Sequence, residues 1–297
     1  MNRIINFHEV HDAAWFENVI LYLKKRYRMI GANQLYEYYY GNVKLQNICL
    51  ITVDDGHCSS YEIIYPILKK HNVPAIFFVS PRIAQRQEYV NFWFQEVADY
   101  DSQKMAEVVA GEGVAIHVPN FSIEPNWGRM PIDSLWKVIR RYQEKYNIPS
   151  KSPLNMTVEQ IKQIDREGLV EIGAHTMLHP ILAMESDSRV EKEITESIRQ
   201  LEDMLQHPIY TFAYPNGIPE CDFGEREKSI LKGTSIRLAF STSARHLSKS
   251  DDVYAIPRYG LSCGSLRFVA VKLCMGKYYL PSRNLVRKLK SLLCFWM

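Results

Sequence analysis

The chain has 297 residues, of which 46% are hydrophobic and 23% are charged, so we expect a folded globular protein and not a disordered one. This length allows either one complete α/β domain or two small domains. The formal net charge of +3 is unevenly divided, because no acidic residue follows Asp252 while the last 45 residues carry eight Lys or Arg. The first 252 residues therefore carry a net charge of −5, and the basic tail has a separate electrostatic role.

The cysteines and the N-terminal residues indicate a reducing compartment. The six cysteines are scattered and form no CxxC pair, a pattern typical of neither a zinc knuckle nor a disulfide framework. Residues 1–12 contain no apolar segment like that of a signal peptide, and no stretch reaches the roughly 20 apolar residues that span a bilayer. We therefore predict a cytoplasmic protein with free thiols.

Strands and helices alternate over the first 80 residues. The pattern predicts, in order, strand 3–10, helix 12–29, strand 48–53, helix 59–71 and strand 74–80. Asp12 is the predicted N-cap of the first helix, and a capping box at Ser59 opens the second. The order β-α-β-α-β favours a parallel sheet or barrel.

Residues 92–156 interrupt this alternation, and we interpret them as an insertion packed on the core, in a position to roof a binding groove. The insertion has predicted helices at 94–109 and 132–146. The alternation then resumes with helix 157–167, strand 169–174, helix 188–206, strand 210–214, helix 223–231, strand 238–242 and strand 254–259. We predict an α/β fold, a distorted (β/α)7-type barrel over 1–260 with a helical insertion at about 92–156 and a basic amphipathic C-terminal extension over 261–297.

Two adjacent acids, Asp54 and Asp55, follow the buried strand 48–53 and precede Gly56 and His57. Neighbouring carboxylates at the end of a buried strand repel each other and lose hydration, and a divalent metal ion would offset that cost. The alternative is a loop in which one acid caps the next helix. This stretch alone leaves both interpretations open.

Other polar residues also follow predicted strands. His8 follows the first strand, His175 and His179 follow strand 169–174, Tyr214 ends the next strand and Arg258 lies in the last. In a (β/α) barrel the C-terminal ends of the strands meet at one face, so we expect these groups to converge. Two imidazoles and one carboxylate are a ligand set that suits zinc or a similar divalent ion.

Four segments together resemble the NodB-type polysaccharide deacetylases, carbohydrate esterase family 4: NFHEV, TVDDGH, HTMLHP and FAYPNG. The resemblance covers about residues 4–260 and is strongest to the branch whose N-terminal strand carries a histidine. That branch includes deacetylases of poly-N-acetylglucosamine and enzymes of surface-polysaccharide gene clusters. The resemblance implies Asp54 as general base, His8 as general acid, a Tyr214 backbone N–H at the oxyanion site, and the metal ligands Asp55, His175 and His179.

The sequence also departs from the family pattern. Val53 replaces the usual phenylalanine, and the arginine before the tyrosine-proline motif and the Asp/Trp motif of many members are absent. Arg258 is a candidate for the orienting role of one missing residue, with Asp54 as its partner, but it could equally bind substrate or a structural acid, and we assign it to substrate binding. Among the tryptophans we assign a sugar contact to Trp127, because Trp93 and Trp136 lie in helical patterns typical of core residues.

We therefore predict a metal-dependent N-deacetylase acting on an N-acetylated sugar of a bacterial surface polysaccharide, or on its lipid-linked or nucleotide-linked precursor. One divalent ion is expected, zinc ahead of cobalt, nickel or manganese, and no nucleic-acid partner. The alternatives are an O-acetyl esterase or other amidase using the same site, and a non-catalytic glycan-binding relative. Residues 266–297 either contact the inner face of the cell membrane or pack on the barrel with a solvated basic face.

Overall fold

The computed structural model describes residues 1–114, 127–262 and 264–275. Within these residues eight strands form one parallel sheet, in the order β7-β6-β5-β4-β3-β1-β8, with β2 paired to β3. The strands are β1 (Arg3–Phe7), β2 (Arg28–Met29), β3 (Ile48–Val53), β4 (Ala75–Val79), β5 (Val170–Ala174), β6 (Thr211–Ala213), β7 (Leu238–Phe240) and β8 (Tyr259–Gly260).

A short segment joins the two edges of the sheet. Ile256 forms a parallel bridge with Phe240 of β7, and three residues later Tyr259 pairs with Ile5 of β1. Residues 256–260 thus connect β7 to β1, and the barrel closes through this irregular segment. The predicted α/β class and distorted (β/α)7-type barrel are confirmed.

Helices surround the barrel and build the insertion. In the described residues they are α1 (Ala13–Lys24), α2 (Ala32–Tyr40), α3 (Tyr65–Lys70), α4 (Pro81–Ala84), α5 (Trp93–Val97), α6 (Ser102–Gly111), α7 (Ile132–Tyr146), α8 (Val158–Arg166), α9 (Asp187–Leu205), α10 (Glu225–Lys232) and α11 (Leu266–Met275). A π-helical turn, Ser60–Ile64, runs directly into α3, and Trp127–Arg129 and Leu182–Met184 are 3₁₀ turns.

The central strands are buried on both faces, as expected for parallel strands covered by helices. Alternate residues enter different clusters: Leu50 of β3 and Phe78 of β4 belong to the cluster inside the barrel, whereas Ile51 and Phe77 pack under the surrounding helices. A third cluster, built by α5, α6 and α7, also includes Leu178 from the loop after β5. The insertion therefore has its own core, which is continuous with one loop at the C-terminal face of the barrel.

Several predicted boundaries are wrong. The first helix ends at Lys24, and the chain forms β2 and then α2, which the pattern did not predict; α2 contributes Leu35 and Tyr38 to the cluster inside the barrel. The predicted helix 94–109 is two helices, because the side chain of Asp101 caps a new one at the backbone N–H of Lys104. The predicted helix over 157–167 begins with a reciprocal Thr157–Gln160 capping box.

The predicted capping box at Ser59 is not formed. Its hydroxyl instead accepts the backbone N–H of Val10 and pairs with Nδ1 of His57, tying the loop after β1 to the loop after β3. Of the predicted extension, α11 lies within the described residues, and residues 276–297 lie outside them. None of the helices in the described ranges has the length and apolar character needed to cross a membrane.

Candidate active site

Asp55, His175 and His179 meet at the C-terminal face of the barrel, where β3 and β5 end. Oδ1 of Asp55 lies 3.3 Å from Nε2 of His175 and 3.5 Å from Nε2 of His179. One ligand atom from each residue lies within 4.8 Å of the other two. Gly56 directly follows Asp55 in the sequence. It has a φ of +67° and lies close to Val79, so any side chain at this position would be both strained and crowded.

The two histidines are held in defined orientations. Nδ1 of His175 is 2.7 Å from the carbonyl oxygen of Ala213, to which it donates, so Nε2 is left with its lone pair facing Asp55. The ring of His179 meets the edges of Phe92 and Phe94 at centroid distances of 5.6 and 5.1 Å. Burial lowers the pKa of His179 to about 4, which keeps this imidazole neutral at physiological pH.

These three side chains fit a divalent metal ion. Oδ1 of Asp55 and Nε2 of His175 are buried, and neither makes a hydrogen bond of normal geometry within the described chain. Burial acts to raise the pKa of Asp55, but the adjacent imidazoles of His175 and His179 outweigh it and lower that pKa. An ionised carboxylate and two imidazoles, turned toward one point, are the donor set expected for zinc and related ions. The predicted ligands are thus brought together, as a metal site requires.

Asp54, the neighbour of Asp55, faces a different partner. Nη1 and Nη2 of Arg258 donate to its two carboxylate oxygens at 2.7 and 2.9 Å, and Nδ2 of Asn6 donates to Oδ2 at 2.9 Å. Burial acts to raise the pKa of Asp54, but the charges of Arg258, His175 and His8 and the hydrogen bond from Arg258 together outweigh it, so the pKa is lowered. Asp54 is therefore a fixed, ionised carboxylate beside the metal-ligand set.

The prediction that Arg258 binds substrate is wrong. Its side chain is 0% exposed and is surrounded by Asp54, Asn6, Thr52 and the carbonyl of Ser241, to all of which it donates hydrogen bonds. With no exposed surface, the guanidinium cannot reach a ligand in the cleft. The alternative interpretation, orientation of Asp54, agrees with the structure.

His8 also lies near Asp54. Its Nε2 is 3.9 Å from Oδ2 of Asp54, and its side chain is 52% exposed to the cleft. Because β1 and β3 are neighbours in the sheet, residues just past their C-terminal ends are brought side by side. The predicted base and the predicted acid thus lie at the same opening.

A two-lobed cleft opens over these groups. The inner lobe has a volume of about 210 Å³ and is lined by His8, Asp54, Asp55, Trp93, Phe94, His175, His179, Tyr214, Asn216 and Thr242. The outer lobe, of about 540 Å³, shares His8, Asp55 and Phe94 with it and adds Glu9, His57, Gln95, Ala98, Asp99, Lys151 and Leu154. A ligand can therefore reach the metal-ligand set while most of its bulk remains in the outer lobe.

Residues 42–230, well over half of the chain, match the family model described as polysaccharide deacetylase. The chain belongs to the polysaccharide deacetylase family. The predicted resemblance is confirmed, and with it the prediction of a deacetylase enzyme at the level of the family. A search of curated proteins found no match.

Solved structures of deacetylases share the fold. The deacetylase PplD from Streptococcus pyogenes is 15% identical, with a TM-score of 0.61, and the match covers 92% of this chain and 97% of that one. IcaB from Ammonifex degensii is 19% identical (TM-score 0.60; 91% and 96% covered), and the BpsB deacetylase domain from Bordetella bronchiseptica is 16% identical (TM-score 0.57; 88% and 95% covered). At these identities the likeness shows the fold alone.

In this polysaccharide deacetylase fold, Tyr214 does not offer the backbone donor that was predicted. Its N–H donates to the carbonyl of Phe240 at 3.2 Å, because the pairing of β6 with β7 continues one residue past β6. Its ring stacks on Phe223 at 3.6 Å and its hydroxyl donates to the carbonyl of Tyr254. Tyr214 therefore forms part of the wall of the cleft, and its N–H is already engaged in the sheet.

Trp93 and Trp136 are buried in the core of the insertion, as predicted, but the sugar contact assigned to Trp127 does not agree with the structure. Trp127 packs partly buried against the core of the insertion and is not among the residues that line either lobe, whereas Trp93, expected in the core, lines the inner lobe. The helical pattern gave no sign of this, because α5 places Trp93 toward both the insertion core and the cleft. Phe94 was also missed; its only sequence signal is its position beside Trp93.

Proposed function

We propose that this protein is a metal-dependent N-deacetylase of an N-acetylated sugar, within a bacterial surface polysaccharide or its lipid-linked or nucleotide-linked precursor. The proposal depends on one observation, that the two adjacent acids have different partners. Asp54 is bound by Arg258, while Asp55 is turned toward His175 and His179. One carboxylate is thereby reserved for proton transfer and the other for a metal ion.

The chain's own groups can perform the proton transfers of amide hydrolysis. Asp54, kept ionised by Arg258, can accept a proton at its carboxylate, whose Oδ2 lies 3.9 Å from Nε2 of His8 and whose Oδ1 accepts only one hydrogen bond, from Arg258. His8, in its protonated form, can donate a proton to the departing sugar amine, which would otherwise leave as an anion. A divalent ion held by Asp55, His175 and His179 would polarise the acetyl carbonyl and lower the pKa of a bound water from 15.7 to about 7. Zinc is the ion we propose, with cobalt, nickel and manganese as alternatives.

The shape of the cleft supports a sugar substrate. The inner lobe, about 210 Å³, admits an acetamido group and the edge of one ring, and the outer lobe, about 540 Å³, admits further rings or a carrier. Phe94 lines both lobes and offers an aromatic face to a sugar ring. Gln95 and Lys151 line the outer lobe beside it. Gln95 already donates to Asn155, and Lys151 to Asp99 and the Gln95 carbonyl, and each keeps one further N–H for a sugar hydroxyl.

Release of acetate is the direct test. Purified protein loaded with zinc would be assayed on N-acetyl sugars in nucleotide-linked, lipid-linked and polymeric forms, with O-acetylated sugars of the same forms in parallel. We expect acetate from at least one N-acetylated form and much slower release from the O-acetylated set. Release from O-acetyl esters alone would replace the proposal with an esterase, and binding of glycan without any release would replace it with a non-catalytic relative.

We also propose that the C-terminal extension, residues 266–297, contacts the cytoplasmic face of the membrane. α11 packs on the barrel through Val269 and Leu273, while Leu266, Phe268 and Val271 are exposed, an arrangement that supports insertion of apolar side chains among lipids. The whole extension carries basic residues and no acid, which favours an anionic surface. Co-sedimentation with anionic vesicles should fall with added salt and in Val271→Ser; equal binding to neutral vesicles, or none, would contradict the proposal.

A further inference from the structure

The loop that carries His175 and His179 adopts an unusual backbone. Thr176 and His179 have φ values of +61° and +58°, in a left-handed region that is uncommon for any residue but glycine and especially unfavourable for a β-branched residue such as Thr176. A loop with two such residues relaxes unless the surrounding structure holds it in place. The metal-ligand geometry of His179 therefore depends on what fixes this backbone.

Three N–H groups of the loop are bound by side chains that lie outside the insertion. Oε2 of Glu193, a residue of α9 that is 2% exposed, accepts the backbone N–H groups of Met177 at 2.9 Å and Leu178 at 3.0 Å. Oγ1 of Thr176 accepts the N–H of His179 at 3.0 Å. Glu193 of α9 and Thr176 of the loop itself thus hold these donors, and neither contacts the carbonyl of His179.

The insertion supplies the partner for that carbonyl. The indole N–H of Trp93, from α5, donates to the carbonyl oxygen of His179 at 3.0 Å in a buried setting. Phe92 and Phe94, the residues on either side of Trp93, place their ring edges against the imidazole of His179. One short stretch of the insertion therefore contacts both the backbone and the ring of this ligand.

Buried polar contacts fix the insertion on the barrel. Arg129 donates to Oδ1 of Asp222 at 2.8 Å, and the backbone N–H of Ile132, at the start of α7, donates to Oε1 of Glu185 at 2.6 Å. Asp222 and Glu185 are both buried and belong to loops at the C-terminal face of the barrel. Trp93 is thus presented to His179 by a firmly attached element.

We propose that Trp93 is a positioning residue of the metal centre: its indole N–H, donated to the His179 carbonyl, holds the left-handed backbone that points this imidazole at Asp55 and His175. The inference rests on the proposed function, since it assumes that these three residues bind a metal ion. It gives the insertion a role in building the site, in addition to covering it. Without the indole donor, His179 would be held less firmly, and its imidazole would be a weaker ligand for a metal ion.

The chain contains a matched control. Trp136 on α7 belongs to the same cluster and has the same exposure as Trp93, 7%, but its indole N–H has no hydrogen-bond partner within the described residues. Trp93→Phe and Trp136→Phe remove similar apolar volume, and only the first removes a hydrogen bond to His179. Comparison of these two variants therefore separates the effect of the indole N–H from the effect of lost packing.

The test measures metal affinity, not turnover. Zinc binding to full-length wild type and both variants would be measured by competition with a chromogenic chelator, and Co²⁺ absorption would report the ligand geometry. We expect zinc affinity about tenfold weaker in Trp93→Phe, with an altered Co²⁺ spectrum, and wild-type values in Trp136→Phe. Unchanged affinity in Trp93→Phe, or equal losses in both variants, would overturn the role assigned to the indole N–H.

Two further outcomes are distinguishable. If Trp93→Phe fails to fold, benzothienylalanine at position 93 keeps the shape of the indole and replaces N–H by sulfur, and the same tenfold loss is expected; wild-type affinity there would overturn the inference. If wild-type protein itself binds no zinc or cobalt, the metal-dependent function fails as a whole. If wild type binds metal and Trp93→Phe binds it equally well, only the positioning role fails.

Discussion

Arg258 holds both carboxylate oxygens of Asp54 in a buried bidentate pair, with Nη1–Oδ1 at 2.7 Å and Nη2–Oδ2 at 2.9 Å. The two residues are 204 positions apart in the sequence and meet because the segment before β8 closes the barrel beside β1 and β3. A bidentate arginine fixes both the charge and the direction of a carboxylate. Arg258 therefore keeps Asp54 both ionised and oriented.

Arg258→Lys should lower kcat by roughly 10- to 100-fold while leaving KM and metal content almost unchanged, because lysine keeps the charge but cannot make the planar bidentate contact. Steady-state kinetics and elemental analysis on the same preparation would measure this. The melting temperature provides the control for damage to the fold, since altering one partner of a buried pair is destabilising. A rise in KM with unchanged kcat would instead indicate contact with substrate.

Asp54→Asn should reduce turnover by about 10³-fold, because the amide cannot accept the proton from the attacking water. The bound metal should remain, since Asp55, His175 and His179 are intact. Acetate release and metal stoichiometry would be measured together. If the variant loses metal to the same extent as activity, Asp54 is a ligand and not the base.

His8→Ala should slow hydrolysis of N-acetyl substrates by about 10²-fold and hydrolysis of activated aryl acetates by much less, because a phenolate leaves without a proton and a sugar amine does not. His11→Ala is a suitable control, as His11 is exposed, lies in the same loop and pairs only with Glu9 among the acids described. Comparable losses on both substrate classes would contradict the acid role.

Glu171→Gln should stabilise the protein at neutral pH. Burial raises the pKa of Glu171, and hydrogen bonds from the hydroxyls of Tyr36 and Thr211 offset this only in part. A raised carboxyl pKa means that the folded state binds the proton more tightly, so stability is lost as pH rises above the ordinary value for glutamate, about 4.3. Glutamine mimics the protonated form and should raise the melting temperature by about 1–3 °C at pH 7, with the gain disappearing near pH 4.

Differential scanning calorimetry at several pH values would measure this difference. Glu171 lies near the start of β5, and His175 follows its end, so metal binding is unaffected and serves as the control. A gain that persists undiminished at pH 4 would show that the raised pKa is not its cause.

The sequence allowed the strands and the residues at their ends to be predicted, because the buried runs are unbroken and the C-terminal ends of parallel strands share one face. Asp55, His175 and His179 could be grouped for that reason, although 120 residues separate the acid from the first histidine. His8 could be added because β1 neighbours β3. These are consequences of topology, which a pattern of strands reveals.

The errors concern choices between partners that only tertiary structure decides. Whether Arg258 faces the cleft or Asp54 depends on how residues 256–259 cross from β7 to β1, which is a tertiary relationship. The Tyr214 N–H is engaged because β7 extends beside it, and Ser59 bonds to Val10 instead of capping a helix. Trp93 and Trp127 could not be ranked because the packing of the insertion determines which indole reaches the cleft.

The most direct test of the central claim is metal content measured alongside acetate release in the same samples of wild type and His175→Ala. We predict about one divalent ion per wild-type chain, loss of both metal and activity on chelation, and recovery of both on adding one equivalent of zinc. His175→Ala should show neither metal nor recovery. Full acetate release by metal-free wild-type protein, or stoichiometric metal in His175→Ala, would contradict the assignment of Asp55, His175 and His179 as a catalytic metal site.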